Sequence, residues 1–345
     1  MSVRILCAAA LCCALLQPAL ARDADPVALP DPFDAAQAGA SLVEASNAGL
    51  LKAVKRVAIP QFCIEFTTHD QVSSQTSGFA AAGRASVTGH YRLSGVDQPQ
   101  FQAIVDQLYA GFVQALQAQG FEVLTPEQLA ASPTWAKLNG AGTPTPLRAE
   151  TKVVVAPPGM ALYGACRMMA SMAKGQGALA GLAALGSGFS GVSEAMEATG
   201  IQKELEDVAL LDLSMRLHFA QLKNESKGFL SGLGNRAKVS AQLRPILTLA
   251  RLSVQHKAEG ATFAVKAPLL LDPAAFDEVR KEAATTSETA GAIAGSLLRM
   301  AIGNKDSVSS EKFEVVADPA RYQERIGADL AQARAMLIAR MVSER

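Results

Sequence analysis

Apolar and polar residues alternate along several segments with the two-residue period of a β-strand. Residues 57–67 carry apolar side chains on both faces, which predicts a strand buried on both sides. Pro60 lies within it and cannot donate a ladder hydrogen bond, so we expect an edge or a bulge there. Residues 72–79 and 86–93 alternate weakly and predict either a hairpin or an ordered loop. The other predicted strands cover residues 121–124, 152–156, 208–221, 239–254, 260–271 and 313–316.

Apolar residues at steps of three and four indicate helices, and polar caps mark where they begin. The clearest is residues 99–119, which Gly120 follows at the position favoured after a helix. Thr125, Pro126 and Gln128 form the start signal of a second helix. The cap-and-proline pair recurs at Asp272 and Asp318. The remaining predicted helices cover residues 40–52 with Ser41 as cap, residues 273 to about 302, and residues 319 to the end.

This order of elements predicts an α+β fold, an α/β sandwich in which helices cover a mixed sheet and a Gly/Ala-rich helical insert interrupts it. The linker of residues 224–236 joins two strands of a meander antiparallel. We expect five segments: a signal peptide at 1–21, a flexible N-terminal leader at 22–51, the first half of the domain at 52–160, the insert at 161–206, and the meander with the C-terminal helices at 207–345.

The first 21 residues have the three parts of a secretory signal peptide. Arg4 precedes the apolar residues 5–16, and small residues at 19 and 21 frame the expected cleavage site. The apolar run is too short to span a bilayer, so we expect a periplasmic mature protein. A lipid anchor on Cys7, Cys12 or Cys13 is the alternative, but the residue before each of these cysteines is not small.

Composition excludes two classes of protein. The 345 residues include 32 Lys+Arg and 32 Asp+Glu, with 49% hydrophobic and 5% aromatic residues. The chain is too apolar for a disordered protein, and it lacks the basic excess of a nucleic-acid-binding protein. Cys63 and Cys166 remain after cleavage. In an oxidising compartment they either form a disulfide or stay as two buried free thiols.

Three segments resemble the periplasmic α/β domain of the curli-secretion channel lipoprotein (CsgG-like) family. They are VAIPQF at 57–62, FQAIVDQLYAGFVQALQAQGFEVL at 101–124 and TPEQL at 125–129. Relatives of that family include the TolB N-terminal domain and small lipoproteins that activate penicillin-binding proteins. The resemblance covers about residues 52–270 and implies a non-enzymatic envelope protein that binds partners or oligomerises. Residues 68–97 and 224–236 are too polar or too short for the membrane hairpins of the channel members.

Catalytic and cofactor motifs match only in part. Residues 175–180 fit G-x-G-x-x-A, but a predicted helix precedes them where a dinucleotide site needs a strand. Residues 188–191 resemble a nucleophile elbow, but the second glycine is not at the required position and no predicted strand leads into them. The four histidines show no metal-ligand spacing. We therefore expect no enzymatic activity, no cofactor and no metal.

Two pairs of glycines are candidates for helix packing or membrane contact. Gly177 and Gly181 lie four residues apart in the uncharged segment 175–193, and Gly291 and Gly295 have the same spacing in a predicted helix. Small residues at this spacing let two helices approach closely. They serve either ordinary packing within the domain or a membrane-facing or self-associating pair of helices.

Charge is separated into adjoining blocks. Residues 194–212 hold six acids and one base, and residues 215–257 hold eight bases and one acid. The blocks either neutralise each other inside the fold or expose a basic face for an anionic lipid or partner, whose binding would weaken with salt. The candidate residues of that face are Arg216, Lys223, Lys227, Arg236, Lys238, Arg244 and Arg251.

These observations favour a non-enzymatic periplasmic protein that acts as a binding or assembly module of the cell envelope. We expect its partner to be an envelope protein or a second copy of the chain in a homo-oligomer, with anionic lipid as a further candidate and no nucleic acid. The alternative function is a periplasmic carrier or sensor of an apolar ligand such as a lipid, held in a cavity lined by the Gly/Ala-rich segment.

Overall fold

A computed structural model describes residues 24–75, 86–171, 190–224, 237–257, 259–281, 287–289, 297–302 and 308–345. These residues form a mixed α/β fold with seven α-helices, as the order of elements predicts. The helices are α1 Ala35–Leu42, α2 Gln98–Ala118, α3 Pro126–Ala130, α4 Pro133–Ala141, α5 Gly164–Ser171, α6 Ser190–Glu204 and α7 Pro319–Val342. Two 3₁₀ helices cover Ala48–Ala53 and Pro273–Ala275.

The strands form sheets of ten, five and three strands. They are β1 Val27–Ala28, β2 Val43–Ser46, β3 Arg56–Thr67, β4 His69–Gln75, β5 Ser86–Ser94, β6 Glu122–Val123, β7 Leu147–Arg148, β8 Lys152–Val155, β9 Ala209–His218, β10 Gln221–Asn224, β11 Ala237–Gln242, β12 Ile246–His256, β13 Glu259–Val265, β14 Leu269–Leu270, β15 Glu278–Lys281, β16 Ser287–Thr289, β17 Leu297–Ile302 and β18 Val308–Val316.

The ten-stranded sheet is the centre of the fold. Its main path is β1-β14-β12-β9-β3-β8-β7, and β3 pairs in parallel with β9 and antiparallel with β8. The register of β3 against β9 shifts between Ala58 and Gln61, which confirms the bulge expected at Pro60. The hydrogen-bonded ladder is interrupted there because proline has no N–H to donate.

One face of this sheet is apolar and lies against α2 and α7. The apolar stripe of α2 is buried as its spacing predicts, and Phe101 of that helix stacks on Phe66 of β3 with ring centroids 4.6 Å apart. Asp97 and Gln100 form a capping box at the start of α2. Phe101 also contacts Tyr322 of α7 edge to face, so both helices share one core with the sheet.

The opposite face of the sheet is polar in its middle and is covered by α3 to α6. At one end Ala58 and Leu210 form a smaller apolar cluster with Trp135 of α4 and Ile201 of α6. A disulfide joins Cys63 of β3 to Cys166 of α5, with an S–S distance of 2.03 Å. This resolves the alternatives for the two cysteines, and it is consistent with an oxidising, extracytoplasmic location.

The two smaller sheets lie at one end of the fold. The five-stranded sheet has the order β16-β15-β18-β5-β4, and the three-stranded sheet has the order β10-β11-β17. β4 and β5 form a hairpin, which is one of the two alternatives for residues 68–97. The linker from β10 to β11 joins antiparallel strands, as predicted. Both sheets contact each other through β4, β5, β11 and β17.

The prediction of a long helix from residue 273 to about 302 is wrong. Asp272 does cap the start, accepting a hydrogen bond of 2.9 Å from the Ala274 backbone N–H. The helix ends after one 3₁₀ turn because Phe276 is extended and its ring is buried against Tyr322, with centroids 6.3 Å apart. Val279 then lies in β15, which pairs with β18.

The N-terminal segment also differs from the prediction of a flexible leader. α1 begins after Asp34, whose carboxylate accepts from the Gln37 backbone N–H at 2.8 Å, and Ser41 lies inside the helix instead of capping it. Gly39 is buried where α1 packs on α7. Within the described ranges no helix combines the length and the hydropathy needed to cross a membrane.

Candidate binding groove

The exposed face of the five-stranded sheet carries a row of charged and polar side chains drawn from four strands. Arg280 on β15 is the Cα partner of Glu314 on β18, Glu314 is the partner of Arg92 on β5, and Arg92 is the partner of His69 on β4. Residues paired in this way point to the same side of a sheet. Lys312, His90 and Gln71 form the next row on the same face.

A cavity of about 660 Å³ lies over these rows and opens to solvent. Glu150 and Thr151, in the turn between β7 and β8, form its wall. A second cavity of about 460 Å³ shares His69, Arg92 and Glu150 with the first and continues to Asp97 and Arg148. We call the two cavities together the strand groove. Its charged side chains lie on strands, and therefore on rigid backbone, except those of Glu150 in the wall and Asp97 before α2.

Ion pairs fix the guanidinium groups of the strand groove. Arg92 Nη2 donates to Glu314 Oε1 at 2.9 Å, and Arg280 pairs with Glu278 on its own strand. The hydrogen bond from Arg92 is the main reason that the pKa of Glu314 is lowered, and the charge of Arg280 adds to it. Glu314 therefore remains ionised below the usual range of a glutamate and serves as a permanent counterion.

The cations of the strand groove project further into solvent than the acids that hold them. The side chains of Arg92 and Arg280 are 57% and 53% exposed. Their partners Glu314 and Glu278 are 29% and 19% exposed and lie closer to the sheet. At these two ion pairs an approaching molecule therefore meets N–H donors before carboxylate oxygens.

The other side of the five-stranded sheet is packed and supports the groove. The rings of Tyr91 and Phe313 stack at 5.1 Å, and both residues are buried. Burial raises the pKa of the Tyr91 hydroxyl, so Tyr91 stays neutral at physiological pH. Asp70 Oδ2 lies 3.4 Å from His218 Nδ1, which links β4 to the end of β9 in the large sheet. The strand groove is thus attached to the central sheet by packing and by polar contacts.

No protein-family model matches this chain. No curated protein and no solved structure matches it significantly either. The resemblance of residues 52–270 to the curli-secretion channel family therefore stays a prediction.

One candidate of the predicted basic face lies inside the fold. Arg216 is buried, with its Nε 2.7 Å from Glu65 Oε1. Lys152 Nζ lies 3.1 Å from the other oxygen of Glu65 and donates to the Met169 carbonyl of α5. Because Glu65 and Arg216 are Cα partners on the face covered by α5, their charges neutralise each other inside the fold. Arg216 is therefore neutralised inside the fold, by an acid that lies outside the acidic block of residues 194–212.

Of the other candidates for that face, only Arg244 and Arg251 have described side chains. Arg244 Nε donates to the Leu271 carbonyl at 2.7 Å, and Arg251 is half-buried on β12. Only the backbone of Lys223 and Lys238 is described, and Lys227 and Arg236 lie outside the described residues. All four candidate glycines also lie outside them: Gly177, Gly181, Gly291 and Gly295. Residues 297–302, which belong to the second predicted glycine-bearing helix, form a strand.

The polar face of the large sheet holds a third, much smaller cavity of about 60 Å³. The hydroxyl of Tyr163 donates to the Pro60 carbonyl at 2.8 Å, and Trp135 Nε1 donates to the same oxygen at 3.3 Å. These two bonds satisfy the backbone carbonyl at the bulge. Among the described residues no group of three or more His, Cys, Asp or Glu could hold a metal ion.

Sequence reasoning misses most of the strand groove. Arg280 and Lys312 are not among its candidates, because the sequence predicts a helix where β15 lies and predicts only the end of β18 as a strand. A signal for β18 exists, since Lys312 and Glu314 alternate with Phe313 and Val315. The parallel pairing of β18 with β5 brings together residues 222 positions apart and leaves no local mark.

Proposed function

We propose that this chain is a non-enzymatic module of the cell envelope that works in the periplasm and binds a protein partner through the strand groove. The observation that carries the proposal is the exposed row of Arg92, Glu314 and Arg280 across three strands. Arginine is enriched where proteins meet, and charges at an interface set orientation and association rate. A second copy of the chain in a homo-oligomer is one such partner.

The fold supports this role because it makes the groove rigid. The five-stranded sheet is packed on its inner face, and the central sheet is linked to α5 by the Cys63–Cys166 disulfide. A surface that is already in its binding conformation loses less conformational entropy when a partner docks. The disulfide also supports a place outside the cytoplasm, and the resemblance to envelope proteins points the same way.

The alternative function, a carrier of an apolar ligand, needs an apolar cavity. The strand groove is lined mainly by charged and polar side chains, so it gives that alternative no support. The Gly/Ala-rich residues 172–189 lie outside the described ranges. Native mass spectrometry of the mature chain tests the carrier hypothesis, because a co-purified lipid mass would support it.

Photo-cross-linking in intact envelopes tests the proposed function. A photoreactive residue at Gln71, which is exposed in the groove, is compared with one at Gln117, which is exposed on α2. We expect a discrete protein adduct from position 71 that is absent from position 117 and is lost when Arg92→Gln is added. Identical adduct patterns from both positions, or no adduct from either, would reject the groove as the docking surface.

A further inference from the structure

We infer that the strand groove takes an extended acidic segment of its partner protein. This inference rests on the proposed function and names the chemistry of the partner. The guanidinium groups of Arg92 and Arg280 are each more than half exposed, while their counterions lie nearer the sheet. A ligand rich in acceptor oxygens meets these donors without displacing Glu314 or Glu278.

Arg92 keeps most of its donors for a ligand. A guanidinium carries five N–H donors, and among the described residues Glu314 is the acceptor that Arg92 uses. The fork of an arginine matches the two oxygens of a carboxylate, and such charge-assisted pairs are stronger than neutral hydrogen bonds. A partner carboxylate can therefore bind Arg92 beside Glu314.

The spacing of the guanidinium groups favours a chain over a single anion. Arg92 and Arg280 lie on strands separated by β18, so their Cα atoms are about 10 Å apart. Glu314 lies between them and repels an anion centred on it. Alternate side chains of an extended peptide are about 7 Å apart, a span that two long arginine side chains accommodate. Two acidic residues of one segment can straddle Glu314.

The shape and charge of the groove favour a protein segment over an anionic bilayer. The turn carrying Glu150 and Thr151 forms a wall beside the sheet, so the cations lie in a concave surface that a flat bilayer does not enter. Glu150, Glu314 and Asp97 are interspersed among the cations. A uniformly negative surface is repelled by these acids, whereas a peptide places its charges only where cations face it.

Fluorescence anisotropy with the mature protein tests this inference. The probe is a labelled eight-residue peptide of alternating Glu and Ser, and a Lys/Ser peptide of equal length is the control. Arg92→Gln and Arg280→Gln are compared with Arg325→Gln on α7, whose side chain is 48% exposed and pairs with Asp272 at 3.4 Å. We expect each groove variant to weaken binding about tenfold or more, since a charge-assisted bond contributes at least that much.

The other expected results are little change in Arg325→Gln, weaker binding as salt rises, and no binding of the Lys/Ser peptide. Arg92→Lys keeps the charge and should retain part of the affinity, which separates loss of contact from loss of fold. Equal affinity in all variants would overturn the inference. Arg92-dependent binding to phosphatidylglycerol vesicles with no binding of the Glu/Ser peptide would also overturn it.

The two proposals fail separately. If cross-linking from Gln71 yields an Arg92-dependent adduct that excess Glu/Ser peptide does not reduce, the partner-binding function stands and the acidic segment is rejected. If the peptide binds as expected and no adduct forms in envelopes, the recognition chemistry stands and the function as an envelope module is rejected.

Discussion

Glu65 and Arg216 form a buried ion pair between two neighbouring parallel strands, with Arg216 Nε 2.7 Å from Glu65 Oε1. Their side chains are 4% and 10% exposed. Lys152 is the second cation on Glu65, at 3.1 Å, and it also holds the Met169 carbonyl of α5. One carboxylate therefore serves as a counterion to two buried cations beneath the helix that the disulfide anchors.

Replacing Glu65 should destabilise the protein strongly. Glu65→Gln removes the buried carboxylate that pairs with Arg216 and Lys152, a change that costs about 3–5 kcal/mol in the free energy of unfolding. Chemical denaturation followed by circular dichroism measures this. The control is Glu122→Gln, since Glu122 is 63% exposed in its pair with Arg56 and its loss should cost less than about 1 kcal/mol. Equal effects of the two substitutions would contradict the role given to Glu65.

The disulfide should stabilise the folded chain. Cys63 and Cys166 are 103 positions apart, so the bond restricts a long loop in the unfolded state. We expect the double substitution of both cysteines by alanine to lower the free energy of unfolding by about 2–5 kcal/mol. Unfolding measured with and without a reductant checks this. The reductant should destabilise the wild type and leave the double variant unchanged; an insensitive wild type would show that the bond contributes nothing.

Asp329 should make stability depend on pH in the mildly acidic range. Burial raises the pKa of Asp329 from 3.8 to about 6, although its Oδ2 accepts a hydrogen bond of 2.7 Å from the Asp272 backbone N–H. The folded state binds this proton more tightly than the unfolded state. The stabilisation is complete below about pH 4 and is lost as the pH rises to about 6.

Asp329→Asn tests this dependence, because an amide oxygen can still accept from the Asp272 backbone. We expect the variant to be more stable than wild type at pH 7 by about 1–2 kcal/mol, a value reduced for partial exposure of the site. The difference should vanish near pH 4. Thermal unfolding across pH 4 to 7 is the measurement, and parallel pH curves for the two proteins would contradict the assignment.

Gly95 should be intolerant of a side chain. It follows β5 beside the groove with a φ of +81°, and a Cβ there would lie 2.1 Å from the Ala317 carbonyl oxygen. Gly120 is the matched control, with a φ of +80° and open space around it. Gly120→Ala should cost about 1–2 kcal/mol for its backbone conformation alone, and Gly95→Ala should cost at least about 1 kcal/mol more because of the clash. Similar losses in denaturation experiments would argue against the close approach.

Local signals in the sequence predict much of the fold. The apolar stripe of α2, the cap at Thr125 and the bulge at Pro60 all depend on residues that are close in sequence. All three are confirmed. The helix predicted from Asp272 fails although its start signal is genuine, because burial of Phe276 and pairing of β15 determine the conformation of the next residues. Local propensity competes there with tertiary contacts, and the contacts prevail.

The candidate site is harder to predict because its residues are distant in sequence. Arg92, Glu314 and Arg280 meet only after β18 pairs with β5 and β15. The charge blocks are visible along the chain, but their counts do not say which side of a strand each charge occupies. Arg216 shows this most clearly, since it is paired with Glu65 under α5 and is buried inside the fold.

The most direct test of partner binding through the strand groove compares the dissociation constants of two variants. The partner recovered by cross-linking from Gln71 is titrated with the Arg92→Gln and Arg325→Gln variants of the mature protein at low salt. We expect Arg92→Gln to bind at least about tenfold more weakly than Arg325→Gln. A ratio near one would show that the strand groove is not where this protein meets its partner.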